Sequence, residues 1–360
     1  MRILGRMNRR AFLLGVSSTG LCFSSAFAKS NRTHYLVVIK LKGGLDSLAA
    51  FPSTGDAHFS KVRSVRHASD AIQLDGYFAA HPGLSALQPF FTRGELLIFP
   101  ATSTSYRGSC HSEAQAILDA AGSHGDRNNW ISRAATALDV FSERRCTHDR
   151  EVGGDVLARL VASCGETASW FVGSTASMAD PREYVEGSIG AKRREAFLTA
   201  CSEAGQSIGD ASGSPITELS LEGFDTHFNQ YECIREPLQT LGLGIAKLAA
   251  ASHHNWTRTV VIVISEFGRT LVLNRDGGTD HGRASATMVL GKSVLGGRIA
   301  GPWPKLDRRH GWGHSGLEPT VPVSGILKTI LTEHMRIPKP IVDIVVLRDT
   351  LTAPVGDVLG

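Results

Sequence analysis

The sequence lacks any apolar run of the length that crosses a bilayer as a helix, which takes about 20 residues. The longest candidate, Leu14 to Phe23, is short and interrupted by glycine and serine. No Gly/Ser-rich or repetitive linker divides the rest of the chain either. We therefore expect no stable membrane span.

Arrangements of cysteine, basic residues and serine that mark other protein classes are also missing. None of the six cysteines forms a C-x-x-C pair, which argues against a zinc ribbon or a thioredoxin-like centre. The net charge of +4 is dispersed along the chain, so we expect no nucleic-acid partner. A Gly-x-Ser-x-Gly elbow is absent, which disfavours a serine-hydrolase triad.

The N-terminus has the layout of an export signal. Arg9 and Arg10 precede a short, weakly hydrophobic segment, and a small-x-small site, Ala26-Phe27-Ala28, follows it. Paired arginines followed by Phe12 and Leu13 resemble the twin-arginine consensus. We predict a signal peptide over residues 1–28 and a single domain over 29–360. The expected partner is the twin-arginine translocation machinery, and the expected location is periplasmic or secreted.

Short β-branched runs alternate with helical stretches in the remaining chain. This order predicts an α/β fold, with a mainly parallel sheet and helices on both faces. The predicted strands are 35–41, 95–101, 218–221, 259–265 and 286–290. The predicted helices are 83–92, 112–121, 130–138, 191–204, 230–253 and 323–332.

Acidic and imidazole side chains follow several of these strands. In open α/β sheets, ligands bind beyond the carboxyl ends of the strands, so we expect these side chains to share one edge. Carboxylates mixed with imidazoles suit Zn²⁺, Mn²⁺, Mg²⁺ or Ca²⁺, and the sequence does not choose among them. The candidate ligands of this divalent metal ion are Asp46, Asp225, His227, Glu266, Asp280 and His281.

Each of these residues also has an ordinary structural interpretation. Asp46 suits a helix N-cap, Asp225 a turn, and Glu266 an ion pair with Arg269. The histidines 253, 254, 310 and 314 are more typical of solvated surface. Only the coincidence of several such residues at strand ends favours a metal site.

The motifs taken together resemble a bacterial family catalogued as domain of unknown function 1501, whose fold is grouped with alkaline phosphatases and sulfatases. The resemblance runs over nearly the whole chain after the signal, in a fixed order of short blocks. The blocks are Gly43-Gly44-x-Asp46, His81-Pro82-x-Leu84, Tyr106-Arg107 to His111 and Gln115, Trp130-x-x-Arg133, Gly223-Phe224-Asp225-Thr226-His227, Ser265 to Thr270, Gly278 to Gly282 and Gly301-x-Trp303-Pro304.

This resemblance implies an α/β/α sandwich, a first-strand aspartate on metal, and a hydroxyl or thiol nucleophile at a helix N-terminus. Family members usually show Arg-Ser-His-Phe where this chain has Ser109-Cys110-His111-Ser112. Cys110 would then act as a thiolate activated by His111 or the metal, or Ser109 or Ser105 would take its place, or catalysis has been lost. The Cys-x-Pro-x-Arg signature of formylglycine sulfatases is absent here.

Two function classes follow. The first is an exported metal-dependent hydrolase of a phosphate, sulfate or related ester, which would take a small anionic ester as substrate. The second is a non-catalytic exported binding or assembly protein that keeps the fold.

Overall fold

The structure is a computed structural model that describes residues 34–63, 70–121, 129–145, 188–210, 213–306, 316–349 and 351–360. The predicted signal peptide, Cys146, Cys164, His310 and His314 lie outside these residues. Among the helices that it describes, none combines the length and the apolar character needed to cross a membrane.

A seven-stranded sheet forms the centre of the fold, in the order β10-β4-β9-β6-β1-β5, with β11 also paired to β4. Its strands are β1 (Tyr35–Lys42), β4 (Leu96–Ser103), β5 (Ile216–Glu222), β6 (Thr259–Ser265), β9 (Ser285–Leu290), β10 (Arg298–Ile299) and β11 (Val321–Pro322). Two short antiparallel pairs lie outside it: β2 (Ile72–Gln73) with β3 (Ala79–Ala80), and β7 (Gly268–Arg269) with β8 (His281–Gly282). All five predicted strands are therefore confirmed, with ends shifted by at most two residues.

The sheet is mostly parallel, as predicted. Strand β1 pairs in parallel with both β5 and β6, and β4 pairs in parallel with β10 and β11. Strand β9 alone runs antiparallel, between β4 and β6. Every residue of β6 is buried, because this strand lies inside the sheet with packed layers on both faces.

Helices cover both faces of the sheet. They are α1 (Ser47–Ala50), α2 (Phe59–Val62), α3 (Gln88–Thr92), α4 (His111–Ala120), α5 (Trp130–Arg145), α6 (Ser188–Ser207), α7 (Gln230–Cys233), α8 (Arg235–Ser252), α9 (Val323–Thr329) and α10 (Lys339–Ile341). Short 3-10 turns span Pro82–Leu87 and His253–Arg258, and π-helical turns span Ile330–His334 and Val342–Val346.

Alternate residues of the strands feed two separate apolar cores. Leu36 and Val38 of β1 pack with α4, α5 and α9 on one face, whereas Val37 and Ile39 pack with α6 and α8 on the other. This alternation follows from the two-residue period of side chains along a strand. The architecture is a three-layer α/β/α sandwich.

Two predicted helices differ in detail from the observed ones. The helix predicted over 230–253 is broken at Ile234, between α7 and α8. Pro237 explains the break, because its ring would clash with the carbonyl of Cys233 in a continuous helix. The segment predicted over 323–332 begins as α9 and ends in a π-helical turn.

Candidate metal centre

The candidate site lies at the edge where β1, β5 and β6 end. His111 is the first residue of α4, Asp225 and His227 follow β5, and Glu266 follows β6. His281 comes shortly before β9, whose antiparallel direction brings its N-terminal end to the same edge. The expectation that these residues share one edge is met, because parallel strands end together.

Gly43 allows the loop after β1 to approach this edge closely. Its φ is +116°, and a Cβ on it would lie 2.3 Å from the backbone nitrogen of Asp225. The Gly43 amide donates to Glu266 Oε1 at 2.8 Å. Any other residue would push the β1 loop away from both carboxylates.

Asp225 lies at the centre of a cluster that also contains His111, His227 and His281. Its Oδ1 lies 2.9 Å from His227 Nε2 and 3.1 Å from His281 Nε2, and those two nitrogens are 3.2 Å apart. Its Oδ2 lies 3.4 Å from His111 Nε2. Three imidazoles thus present their Nε2 atoms to one carboxylate.

The second nitrogen of each imidazole faces an oxygen. His111 Nδ1 lies 3.1 Å from Glu266 Oε1, His227 Nδ1 lies 3.1 Å from Asp280 Oδ1, and His281 Nδ1 lies 2.8 Å from the carbonyl of Ser109. We assign the proton of each neutral ring to Nδ1 on this network. Each Nε2 then carries a lone pair directed at the cluster, the orientation that metal-binding histidines adopt.

A divalent cation fits this donor set. The Nε2 atom of His111 is buried, and its contact with Asp225 Oδ2, at 3.4 Å, falls outside strict hydrogen-bond geometry. His111, Asp225 and His281 each offer a ligand atom within 4.8 Å of the other two. The separations of 2.9 to 3.2 Å among Asp225, His227 and His281 approach the ligand spacing of about 3.3 Å that tetrahedral Zn²⁺ requires.

The charges of the cluster are strongly coupled without a metal. The carboxylate of Asp225, followed by that of Glu266, raises the pKa of His111 to about 9. Burial raises the pKa of Asp225, but its contacts with His111, His281 and Arg269 outweigh this effect and hold that pKa far below its usual range. Burial likewise opposes ionisation of Glu266, and its hydrogen bonds with His111 and the Gly43 amide still lower its pKa.

The structure gives Asp46 a role outside the cluster. Its buried carboxylate caps α1 by accepting from the amides of Leu48 and Ala49, so the N-cap interpretation is confirmed. Arg63 Nη1 lies 2.8 Å from Asp46 Oδ2, and Gln230 Nε2 donates to the same oxygen at 2.8 Å. Arg63 is a buried cation that neutralises Asp46, and the role of Asp46 as a metal ligand stays a prediction.

Glu266 and Asp280 contact the Nδ1 atoms of His111 and His227, on the side of each ring away from Asp225. Glu266 accepts from His111 on one oxygen and from the Ser265 hydroxyl, at 2.9 Å, on the other. Asp280 is largely exposed, and hydrogen bonds from Asn274 lower its pKa together with His227. The alternative ion pair between Glu266 and Arg269 is not formed, since Arg269 Nη1 donates to Asp225 Oδ1 at 2.7 Å.

A buried polar chain that the sequence analysis missed connects Asp46 to Asp225. Gln230 Oε1 accepts from Thr279 Oγ1 at 3.0 Å, and Thr279 Oγ1 accepts from Arg269 Nε at 3.0 Å. Arg269 completes the link to Asp225. The only sequence signal for this series of hydrogen bonds was that Arg269 lies near Glu266 and Thr279 precedes Asp280.

The predicted nucleophiles lie at the start of α4. Cys110 is the exposed N-cap residue, and its Sγ lies 3.1 Å from Ser112 Oγ, a contact that lowers the pKa of the thiol. Ser109 is exposed, and its carbonyl binds His281. His111, predicted to activate a nucleophile, lies instead among the candidate ligands. Cys110, Cys201 and Cys233 are free thiols, and the histidines 253 and 254 are exposed, as expected.

Comparison with known proteins gives one family match. Residues 188–334 match the family described as protein of unknown function DUF1501. The matched segment contains Asp225, His227, Glu266 and His281, whereas His111 precedes it. No curated protein matches the chain.

Solved structures with a similar fold include two of low sequence identity. Ps i-CgsB, solved in complex with k-i-k-neocarrahexaose, shares 10% identity at a TM-score of 0.37, covering 76% of this chain and 69% of its own. A protein in the alkaline phosphatase superfamily from Vibrio parahaemolyticus shares 14% identity at a TM-score of 0.34 over 75% of this chain. This chain spans 62% of the length of the latter protein.

Proposed function

We propose that this protein is a metal-dependent hydrolase of phosphate, sulfate or related esters. The observation that carries the proposal is the convergence of three imidazole Nε2 atoms on the Asp225 carboxylate. Every one of these imidazoles has its Nδ1 held by an oxygen, which sets the ring in its ligand orientation. Such pre-orientation has a cost in a metal-free protein, because the Nε2 atoms of His227 and His281 face each other at 3.2 Å and their lone pairs repel.

The ligands in this proposal are His111, Asp225, His227 and His281. A set of three imidazoles and one carboxylate favours Zn²⁺ or Mn²⁺ over Mg²⁺ and Ca²⁺, which prefer oxygen ligands throughout. When bound, such an ion polarises an ester oxygen or lowers the pKa of a bound water to about 7.

The chain itself would bind and attack the ester from the N-terminus of α4. The exposed thiol of Cys110, whose pKa is lowered, is the nucleophile we favour there. The backbone amides of the first turn of α4 have no partner within the helix and suit an anionic group. Arg269, buried and bonded to Asp225, would hold that ligand in position while the substrate binds.

The alternative proposal is an exported binding protein without turnover. The contact of Cys110 favours it, because among the described residues the thiol hydrogen-bonds the Ser112 hydroxyl and no imidazole. Both proposals include export by the twin-arginine route, supported by Arg9, Arg10 and the Ala26-Phe27-Ala28 site. Replacing Arg9 and Arg10 together by lysine should abolish periplasmic delivery of the full chain.

Metal content is the first test. Residues 29–360 are purified without chelator and their metal is measured by mass spectrometry, beside the double variant Asp225→Ala, His281→Ala. The control is Asp119→Ala, a surface carboxylate bonded to Lys40. We expect near-stoichiometric metal in the wild type and the control and a loss in the double variant.

Activity separates the two proposals. The metal-loaded wild type and Cys110→Ala are screened against phosphate and sulfate esters under identical conditions. Turnover that Cys110→Ala lacks supports the hydrolase with a thiol nucleophile, and metal without any turnover supports the binding protein. If neither form holds metal after incubation with Zn²⁺ or Mn²⁺, both the cluster assignment and the hydrolase are wrong.

A further inference from the structure

A cavity of about 620 Å³ lies beside the cluster. The loop after β4 contributes Thr104, Ser105 and Arg107 to its lining, and the same loop continues into Ser109 and Cys110. Thr104 Oγ1 also donates to the carbonyl of Glu266 at 3.3 Å. The loop that lines one side of the cavity therefore contacts Glu266 and continues into the N-terminus of α4.

Helix α4 fixes the distance between the cavity and the cluster. Its first residue is His111, and Ile117 and Leu118 on its second turn line the cavity. Six residues of α-helix span about 9 Å, so a molecule with one end at the cluster reaches the cavity floor with a body of roughly that length. A volume of this size suits a small organic ligand.

The lining is apolar at its floor and carries positive charge at the rim next to the cluster. The floor consists of Ile117 and Leu118 together with Val323 and Leu327 from α9. No aromatic side chain lines the cavity for stacking on a sugar ring, and its charged side chains are exposed or half-buried, above this floor: Arg107, Arg283, Glu318, Arg348 and Asp349. The buried, apolar floor favours an aliphatic group at that depth.

Arg107 supplies the unpaired charge of the rim. It donates to the carbonyls of Thr104 and Tyr106 and forms no ion pair with any described residue. Arg283, across the lining, is instead neutralised by Glu318 at 2.8 Å. An anionic head near the cluster would therefore meet Arg107 on the side of the cavity.

We propose that this cavity binds the leaving group of the substrate, and that the substrate is a long-chain alkyl ester whose anionic head lies at the cluster. That the ligand is a substrate rests on the proposed function. That the cavity binds its alkyl group does not. Alkylphosphonates, which carry the same head and are not hydrolysed, test it without turnover.

The experiment measures binding of ethylphosphonate and octylphosphonate to the Zn²⁺-supplemented chain by calorimetry. Each fully buried methylene strengthens binding about fourfold, so burial of two of the six extra carbons already gives about 15-fold. We expect octylphosphonate to bind at least that much more tightly in the wild type. Equal affinities, or no binding of octylphosphonate, would overturn the inference.

Two variants test whether the alkyl group of octylphosphonate binds in the cavity. Ser324→Trp and Thr352→Trp each fill the cavity from a half-buried position of its lining, and Ser202→Trp on α6 is the control on the opposite face. Circular dichroism and thermal unfolding identify the folded variants. A folded cavity variant should lose the preference for octylphosphonate and keep its affinity for ethylphosphonate, whereas the control keeps both. A preference that survives both cavity variants contradicts the inference.

Hydrolysis of ethyl and octyl phosphates completes the test, since the two alcohols leave with nearly equal ease. Selective binding of octylphosphonate without hydrolysis of either ester leaves the cavity inference intact and makes the hydrolase proposal wrong. If both esters are hydrolysed at equal kcat/KM and the two phosphonates bind with equal affinity, the hydrolase proposal is supported and the cavity inference is wrong.

Discussion

Asp46 separates the metal-ligand prediction from the structural role observed for this residue. Its carboxylate is 2% exposed, and the side chain of Arg63 is fully buried against it. Substitution Asp46→Asn keeps the shape and the N-cap, since asparagine caps helices as well as aspartate does. It removes the one carboxylate that neutralises Arg63 among the described residues.

The expected cost follows from this burial. Breaking a buried ion pair from one side leaves an uncompensated charge and costs about 3–5 kcal/mol of unfolding free energy. The remaining acceptor of Arg63 is the Thr270 carbonyl at 2.8 Å, which does not replace a negative charge. Metal content should stay unchanged, because the cluster atoms of His111, Asp225 and His281 do not include Asp46.

Urea unfolding of the metal-free wild type and variant measures the first effect, and mass spectrometry after Zn²⁺ loading measures the second. Asp119→Asn is the control: its carboxylate is 44% exposed, and its partner Lys40 keeps Glu218 at 2.8 Å, so we expect a loss below about 1 kcal/mol. The reasoning is refuted if Asp46→Asn unfolds like the wild type and loses its metal, since Asp46 would then be a ligand.

Three further predictions follow from other buried contacts. Because the pKa of His111 is raised to about 9, metal must displace its proton at pH 7, so affinity should rise up to about tenfold per pH unit from 7 to 9, and His111→Gln should remove this slope in calorimetry. Burial lowers the pKa of His334 to about 4, so below pH 6.5 the unfolded chain binds a proton that the folded chain excludes. The unfolding free energy should then fall by up to about 1.4 kcal/mol per pH unit as the pH drops from 6.5 to 4. Urea titrations of His334→Gln should lack this pH-dependent loss. Trp303→Phe keeps an aromatic ring against Phe78 but loses the 3.1 Å hydrogen bond to Asp56, which should cost about 1.5–3 kcal/mol in urea unfolding, and an unchanged midpoint would contradict the assigned bond.

The sequence was sufficient for the strands, because their signal is local. The run 259–264 is apolar or β-branched throughout, and every position of β6 is buried. Helix ends were less predictable, since the break at Ile234 depends on a proline three residues downstream and the π-helical turn after α9 has no local signature that we recognise.

The site was predictable in its location and not in its division of roles. Residues at strand ends meet at one edge whatever their function, which is why Asp225, His227 and His281 could be grouped. The partner of a carboxylate is set by tertiary contacts. Arg63 lies 17 positions from Asp46 in the sequence, and Arg269 bonds to the distant Asp225 rather than to the nearby Glu266. The sequence predicted a catalytic role for His111 because it adjoins Cys110, whereas the contacts of its ring with Asp225 and Glu266 are tertiary.

The cluster is assembled from distant parts of the chain, since His111 and its anchor Glu266 are 155 positions apart and Asp225 and His281 are 56 apart. An unfolded chain holds no such arrangement, so an ion can be captured only once the sheet has formed. Under the proposed twin-arginine export, the ion found in the mature molecule would be the one available in the compartment where the protein folded. Isotopic labelling of metal in one compartment would then record the birthplace of each molecule.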